Sequence, residues 1–261
     1  MAALGSAVIM AGTTGTANAD TTDSGSSRSN ETATVASYTA YLAWQSVQDE
    51  GAREALRAFK ALPVTDREKY LDYLNDPTVL EALLQAAGEA EPGPDPEAVS
   101  AATAATGEKQ TVATTSSRAM ADGDIVIETT QEATFTPDPG DSPGVPQGSG
   151  KLRKGTWEST YTANQKILGV TVTRLSVWVN YYTNGNKITK VNYADGGKRN
   201  FNAAVAITKG IPKAWKDGSY ANGSVVWEGS IIYKGFGVSI DKRQRVWANE
   251  YGYRGGYLKN V

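Results

Sequence analysis

Apolar and polar residues alternate most clearly between Ile167 and Tyr193, where β-branched and aromatic residues dominate two arms. Residues of these types favour extended strands. Asn184-Gly185 stands between the arms, and this dipeptide is typical of the type I′ turn, which needs positive φ at both central positions. The pattern therefore predicts a long β-hairpin around which the rest of the fold is arranged.

The apolar positions of the first arm change phase along its length. Leu168, Val170 and Val172 carry even numbers. The later apolar positions are odd: Leu175, Val177, Val179 and Tyr181. Because successive strand side chains point to opposite faces, one residue must be absorbed between the two halves. We expect a β-bulge near Thr173-Arg174, or a bend that carries the strand between two sheets, and both favour a sandwich or barrel over a flat sheet.

Further runs with strand character fill the C-terminal part of the chain, separated by turn-forming groups such as Asp195-Gly196-Gly197. They lie near 156–163, 167–183, 187–193, 201–208, 224–233, 235–240, 245–249 and 251–258. This spacing predicts a mainly β C-terminal domain, an antiparallel β-sandwich or small barrel of about seven to nine strands.

Helical periodicity is confined to residues 35–88, an acidic region in which Pro63 and Gly88 end two of the helical runs. A few short helices make a marginal bundle alone, so this small α-helical region is expected to pack on the β domain. Residues 1–19 contain a short apolar run and Ala17-Asn18-Ala19, which fits a cleavage site and predicts an export signal. No basic residue precedes Asp20, so the signal is predicted to be truncated at its start.

The remaining stretches are assigned from composition. Residues 20–34 are rich in Ser, Thr and Gly and are predicted to be disordered. Residues 89–150 hold seven of the ten prolines and are predicted to be a linker, with early strands of the β domain as candidates near 111–120 and 124–135. Residues 151–261, with five of the six tryptophans, form the predicted β domain. No segment is long and apolar enough to be predicted as transmembrane, and the expected location is secreted, either extracellular or associated with the cell envelope.

The sequence contains neither cysteine nor histidine. Disulfides, thiolate metal sites and cysteine nucleophiles are therefore excluded. The absence of histidine also removes the Ser-His-Asp triad, imidazole acid–base catalysis and nearly every zinc site. We predict no metal site and no cofactor, and binding is favoured over catalysis.

Charge is divided sharply along the chain. Residues 20–150 carry 8 Lys+Arg against 22 Asp+Glu, a net charge of −14, whereas residues 151–261 carry 18 against 6, a net charge of +12. So basic a domain should attract anionic polymers, unless its own acidic half docks on the same surface. A simply solvated surface is the alternative. Export makes nucleic acid a less expected partner than an anionic polymer or polysaccharide of an envelope.

Two kinds of site residue follow from these constraints. A carboxylate pair on a glycoside needs no histidine, and the weak catalytic candidates are Glu158 and Glu228, each beside a tryptophan. Strand neighbours point to opposite faces, however, so a core tryptophan puts its adjacent glutamate in water for structural reasons alone. The candidate ligand-binding residues are Lys242, Arg243, Arg245, Trp247, Tyr251, Tyr253, Arg254 and Tyr257. The three tyrosines share one parity, so one sheet face is expected to carry them, whereas Trp178 and Trp227 are expected in the core.

The Ala-Asn-Ala site, the segment DREKYLDYLNDPTVLEALL and the segment GVTVTRLSVWVNYY together resemble secreted actinobacterial proteins with a cysteine-free, β-rich C-terminal domain. That resemblance implies export and a β-rich domain, and it implies no activity. From the residues, the predicted function is an exported, non-enzymatic protein whose β domain contacts an anionic or carbohydrate polymer of a cell envelope. The alternatives are a secreted toxin or antimicrobial masked by its acidic N-terminal region, and a glycoside hydrolase.

Overall fold

The computed structural model describes residues 34–76, 78–79, 83, 93–94, 109–138, 151–203, 205–233 and 236–261. Three helices come first in the described chain: α1 (Val35–Gln45), α2 (Glu50–Ala61) and α3 (Val64–Leu74). The predicted export signal lies outside the described residues, as do nearly all of the stretch predicted to be disordered and most of the two Pro-rich parts of the predicted linker.

Ten strands follow the helices. They are β1 (Gln110–Met120), β2 (Ile125–Thr136), β3 (Gly155–Ile167), β4 (Val170–Thr183), β5 (Ile188–Asn200), β6 (Val205–Lys209), β7 (Lys213–Asp217), β8 (Tyr220–Tyr233), β9 (Phe236–Asn249) and β10 (Gly252–Asn260). Sheet A contains β1 to β5 in sequential antiparallel order. Sheet B has the order β10-β9-β8-β6, and β7 follows β6 along the same edge of β8. The predicted mainly β fold with a small helical N-terminal region is confirmed.

Strands β1 and β2 occupy the two strand-like stretches of the predicted linker. They pair with each other, and β2 pairs with β3 along its whole length, from Ile125 opposite Ile167 to Thr136 opposite Thr156. Sheet A therefore begins well before the compositional boundary at Lys151, and a fragment that starts there would lack two of its five strands.

The two sheets pack face to face through apolar side chains that alternate along most of the strands. Tyr161 and Val177 of sheet A and Val246 of sheet B are fully buried. A polar side chain that lies among them is Gln244 of β9, also at 0% exposure. Its Nε2 donates to the carbonyl oxygens of Tyr161 and Leu175, both at 3.1 Å, so it links sheet B to two strands of sheet A.

The helices cover one end of the sandwich. The hydroxyl of Tyr38 in α1 donates to the carbonyl of Phe201 at 3.1 Å, and Nδ2 of Asn202 donates to the carbonyl of Leu74 at 3.0 Å. Arg199 pairs with Asp49, the N-cap of α2, at 3.3 Å. Because the buried residues of the helices and of both sheets form one continuous cluster, the helical region and the β domain share a core.

The hairpin turn differs from its prediction. Only Gly185 of the Asn184-Gly185 pair has positive φ, at 91°, and a four-residue loop results in which Oδ1 of Asn184 accepts from the backbone N–H groups of Asn186 and Lys187, both at 3.0 Å. The tight two-residue turn with positive φ lies instead at Leu168 (48°) and Gly169 (79°), between β3 and β4. The predicted strand over 167–183 is thus broken by a turn near its start.

The phase change in β4 has the predicted cause. Gln165 faces Thr173 while Lys166 faces Thr171, so Val172 is the extra residue of a β-bulge, next to the predicted position. All of β4 stays in sheet A, which rules out the alternative bend between sheets.

Candidate functional site

The outer face of sheet B carries a row of aromatic and cationic side chains. In β9, Val246 and Ala248 point into the core, so Arg245 and Trp247 point outward. Their register neighbours bring one residue from β7 and two from β10 onto the same face. We call this set the aromatic–basic strip: Trp215, Arg245, Trp247, Tyr257 and Lys259.

Each ring of the strip lies beside a positive charge. The guanidinium carbon of Arg245 lies 5.0 Å from the ring centre of Trp215 and 5.5 Å from that of Trp247. The rings of Trp247 and Tyr257 are 5.9 Å apart, and Lys259 Nζ lies 5.1 Å from the centre of the Tyr257 ring. The three distances that involve Arg245 or Lys259 are cation–π distances, so each ring is attracted to the charge beside it. The strip crosses four strands, which corresponds to roughly 15 Å of surface.

Two local features hold the strip in place. Nη2 of Arg245 donates to Oδ1 of the buried Asn222 at 2.7 Å, which fixes the guanidinium between the two tryptophans. The indole of Trp247 lies directly on Gly255 of β10, where any Cβ would collide with the ring. Glycine is required at this position because of that close approach.

The cations of this face lack acidic partners within the described part of the chain. No ion pair there involves Lys213, Arg243, Arg245 or Lys259, which all lie on this face by strand alternation. Other cations of the β domain do form ion pairs. Lys209 pairs with Asp195 at 2.9 Å, and this hydrogen bond is the main reason that the pKa of Asp195 lies below its ordinary value.

The structure separates the candidate ligand-binding residues into three groups. Arg243, Arg245, Trp247 and Tyr257 share the outer face of sheet B, whereas Lys242 and Tyr253 are buried, at 8% and 4% exposure. Lys242 points inward because it alternates with the outward-facing Arg243 along β9. Tyr253 points inward because of a β-bulge in β10: Tyr253 faces Ala248 and Gly255 faces Trp247, so an extra residue reverses the parity between Tyr253 and Tyr257.

The third group lies at the β9–β10 turn. Tyr251 has the guanidinium of Arg254 at 5.4 Å and Nζ of Lys151 at 5.7 Å from its ring centre. Nε of Arg254 also donates to Oδ1 of Asn249 at 3.0 Å. The expectation that Tyr251, Tyr253 and Tyr257 share one face is therefore wrong.

Sequence reasoning missed two members of the strip. Trp215 lies on a five-residue strand and reaches β9 only through the pairing of both with β8. Lys259 lies two residues after Tyr257, so strand alternation alone could have placed both side chains on the same face. Trp227 lies in the core as expected, at 2% exposure, whereas Trp178 is half-buried on the outer face of sheet A, next to Gly197.

The two catalytic candidates cannot act as a pair. Glu158 lies on the outer face of sheet A, where its Oε2 accepts from Nδ2 of Asn180 at 3.4 Å and from the hydroxyl of Tyr193 at 3.3 Å. Glu228 lies on the outer face of sheet B, opposite Asp241 in the β8–β9 register. The full thickness of the sandwich separates the two glutamates, so they cannot flank one glycosidic bond.

No cluster of three potential metal ligands occurs in the part of the chain that the structure describes. Within the same residues, no helix combines the length and apolar composition needed to cross a membrane. No protein-family model, curated protein or solved structure matches this chain.

Proposed function

We propose that the protein is an exported, non-enzymatic binding protein whose aromatic–basic strip contacts an anionic polymer of a cell envelope. The observation that supports this most directly is Arg245, held between two tryptophan rings without an acidic partner among the described residues. A guanidinium is a fork of donors suited to phosphate and carboxylate groups. Flanking rings offer flat faces for the sugar or linker units between those groups.

Several neighbouring cations make a polymer a better ligand than a single small anion. Lys213, Arg243 and Lys259 are exposed on the same face as Arg245. Repeated anionic groups along a chain can neutralise several of them at once, with release of counterions. The alternative of a masked toxin receives no support from α1 to α3, since their main contacts with the strands are with sheet A and with residues 200–202 at one end of the sandwich.

The test compares two variants of equal net charge. The strip variant is Arg243→Gln/Arg245→Gln/Lys259→Gln, which removes two cations of the strip and Arg243, the register partner of Lys259. The control variant, Lys60→Gln/Lys187→Gln/Lys190→Gln, removes three exposed charges elsewhere. Full-length protein is used, because a fragment starting at Lys151 would lack β1 and β2. Retention is measured on immobilised poly(glycerol phosphate), polyglucuronate and an uncharged glucan over a range of salt concentrations.

The wild-type protein and the control variant should bind the two anionic polymers and release them as salt rises. The strip variant should lose most of this retention, and the slope of log K against log salt should fall by roughly two to three. Equal losses in both variants would show that only net charge matters and would refute the assignment. If the protein were retained equally on the uncharged glucan and on the anionic polymers, the proposal of an anionic ligand would be refuted.

A further inference from the structure

A pocket of about 230 Å³ lies between α2 and the outer face of sheet A, on the side of the sandwich away from the aromatic–basic strip. Its α2 wall contains the small residues Gly51, Ala55 and Ala58 and the carboxylate of Glu54, and the Arg199 side chain packs on Gly51. Its sheet side contains Asn164 and Arg174. The volume is below the roughly 300–1,000 Å³ typical of pockets for drug-sized ligands, so the pocket suits a smaller molecule.

Three cations line this pocket, and two of them are already paired. Nζ of Lys166 lies 2.7 Å from Oε1 of Glu128, and Nε of Arg199 lies 3.3 Å from Oδ1 of Asp49. Burial raises the pKa of Glu128, but the hydrogen bonds from Lys166 and Asn164 outweigh it and keep that pKa below its ordinary value. The side chain of Arg174 has neither an ion pair nor a hydrogen bond with any residue that the structure describes.

Asn164 provides a second unused group. Its Nδ2 donates to Oε2 of Glu128 at 3.2 Å, whereas its Oδ1 is buried and has no hydrogen-bond partner among the described residues. A buried acceptor without a donor is costly, and native structures usually satisfy such groups. Asn164 and Arg174 face each other directly in the β3–β4 register. The pocket therefore has an unpaired guanidinium, and beside it an unused acceptor that a ligand can reach only by displacing the atoms that cover it.

We infer that this pocket binds a small hydroxylated anion of the sugar-acid or sugar-phosphate class. The anionic group lies against the guanidinium of Arg174, whose fork of donors matches carboxylate and phosphate oxygens. A hydroxyl of the ligand donates to Oδ1 of Asn164. The site is independent of the proposed polymer surface, because it lies on the other sheet and shares no residue with the strip.

The full-length protein is titrated separately with D-glucuronate, glucose 6-phosphate, glucose and acetate. Binding is measured by calorimetry and by NMR. Arg174→Gln removes the proposed anion contact. Arg118→Gln, an exposed arginine of the edge strand β1, is the matched control. Arg174→Lys keeps the charge but loses the fork of donors. Asn164→Leu removes the acceptor.

Glucuronate, glucose 6-phosphate or both should bind, and the one that binds more tightly identifies the preferred anionic group. Arg174→Gln should raise its dissociation constant at least tenfold, Arg174→Lys should give an intermediate value and Arg118→Gln should leave it unchanged. Asn164→Leu should weaken binding of the sugar anion more than binding of acetate. Glucose that binds as tightly as the sugar anions would overturn the inference. Equal affinities of the Arg174→Gln and Arg118→Gln variants, or no binding of any probe, would also overturn it.

Discussion

Replacement of Gln244 by methionine tests the contact that joins the two sheets. The amide donates to the carbonyls of Tyr161 and Leu175 at 3.1 Å and accepts from Nε1 of Trp227 at 2.8 Å. Methionine has a similar length and volume, so it removes these hydrogen bonds while it keeps most of the packing. The same contact fixes the register of β9, and a slip of one residue would turn Arg245 and Trp247 inward.

The expected cost follows from the groups left behind. The indole N–H of Trp227, a residue with 2% exposure, would lose its acceptor, and an unsatisfied buried donor costs about 1–3 kcal/mol. The two carbonyl oxygens would each lose one donor but have a second lone pair, so their loss adds roughly 1 kcal/mol in total. We expect the free energy of unfolding to fall by about 2–4 kcal/mol, a large part of the 5–15 kcal/mol typical of a folded protein.

Urea denaturation followed by far-UV circular dichroism measures this loss. Gln48→Met, at an exposed position, is the matched control and should change the free energy of unfolding by less than about 0.5 kcal/mol. Adding Trp227→Phe to Gln244→Met removes the unsatisfied donor, so the double variant should lose less than the sum of the single variants, with a coupling of at least about 1 kcal/mol. Strictly additive losses, or a Gln244→Met variant as stable as the control, would refute the role given to this amide.

Two further predictions concern the helix contact and the β3–β4 turn. The pKa of Asp124 is lowered by hydrogen bonds from Lys69 and Tyr73 of α3, so its contribution to stability exists above the unfolded-state pKa of about 3.9 and is lost as the pH falls toward the lowered pKa. Asp124→Asn should therefore be less stable than wild type in urea at pH 7, and the gap should close in acid; a gap independent of pH would contradict this. At Leu168, where φ is 48°, glycine should be more stable than alanine by about 1 kcal/mol in thermal unfolding, and the opposite order would exclude the left-handed conformation.

The fold class was predictable because burial follows a period of two in most strands. The apolar positions from Leu175 to Tyr181 all point into the core, and the phase change before them marks a real bulge at Val172. The turn at Leu168 was not predictable, since leucine carries no signal for positive φ. Packing of the surrounding strands imposes that conformation against local preference.

The candidate surface was predictable in part for the same reason. Arg243, Arg245 and Trp247 lie on one regular strand, where parity alone gives their common face. For Tyr253, parity predicted the wrong face of the sheet. A bulge next to a glycine-rich stretch leaves no trace in the pattern of apolar residues, so the sequence did not reveal it. Trp215 depended on which strands become neighbours, and long-range pairing cannot be read from one sequence.

The extra residue in β10, Arg254, has a consequence for mutation by insertion and deletion. Because of it, one strand supplies Tyr253 to the core and Tyr257 to the surface. Substitution of Arg254 changes one exposed side chain and leaves both tyrosines in place. Its deletion would bring the two halves of the strand into a single phase, so that either Tyr253 turns out into water or Tyr257 turns into the core. At this position the length of the chain is under tighter constraint than the identity of the residue.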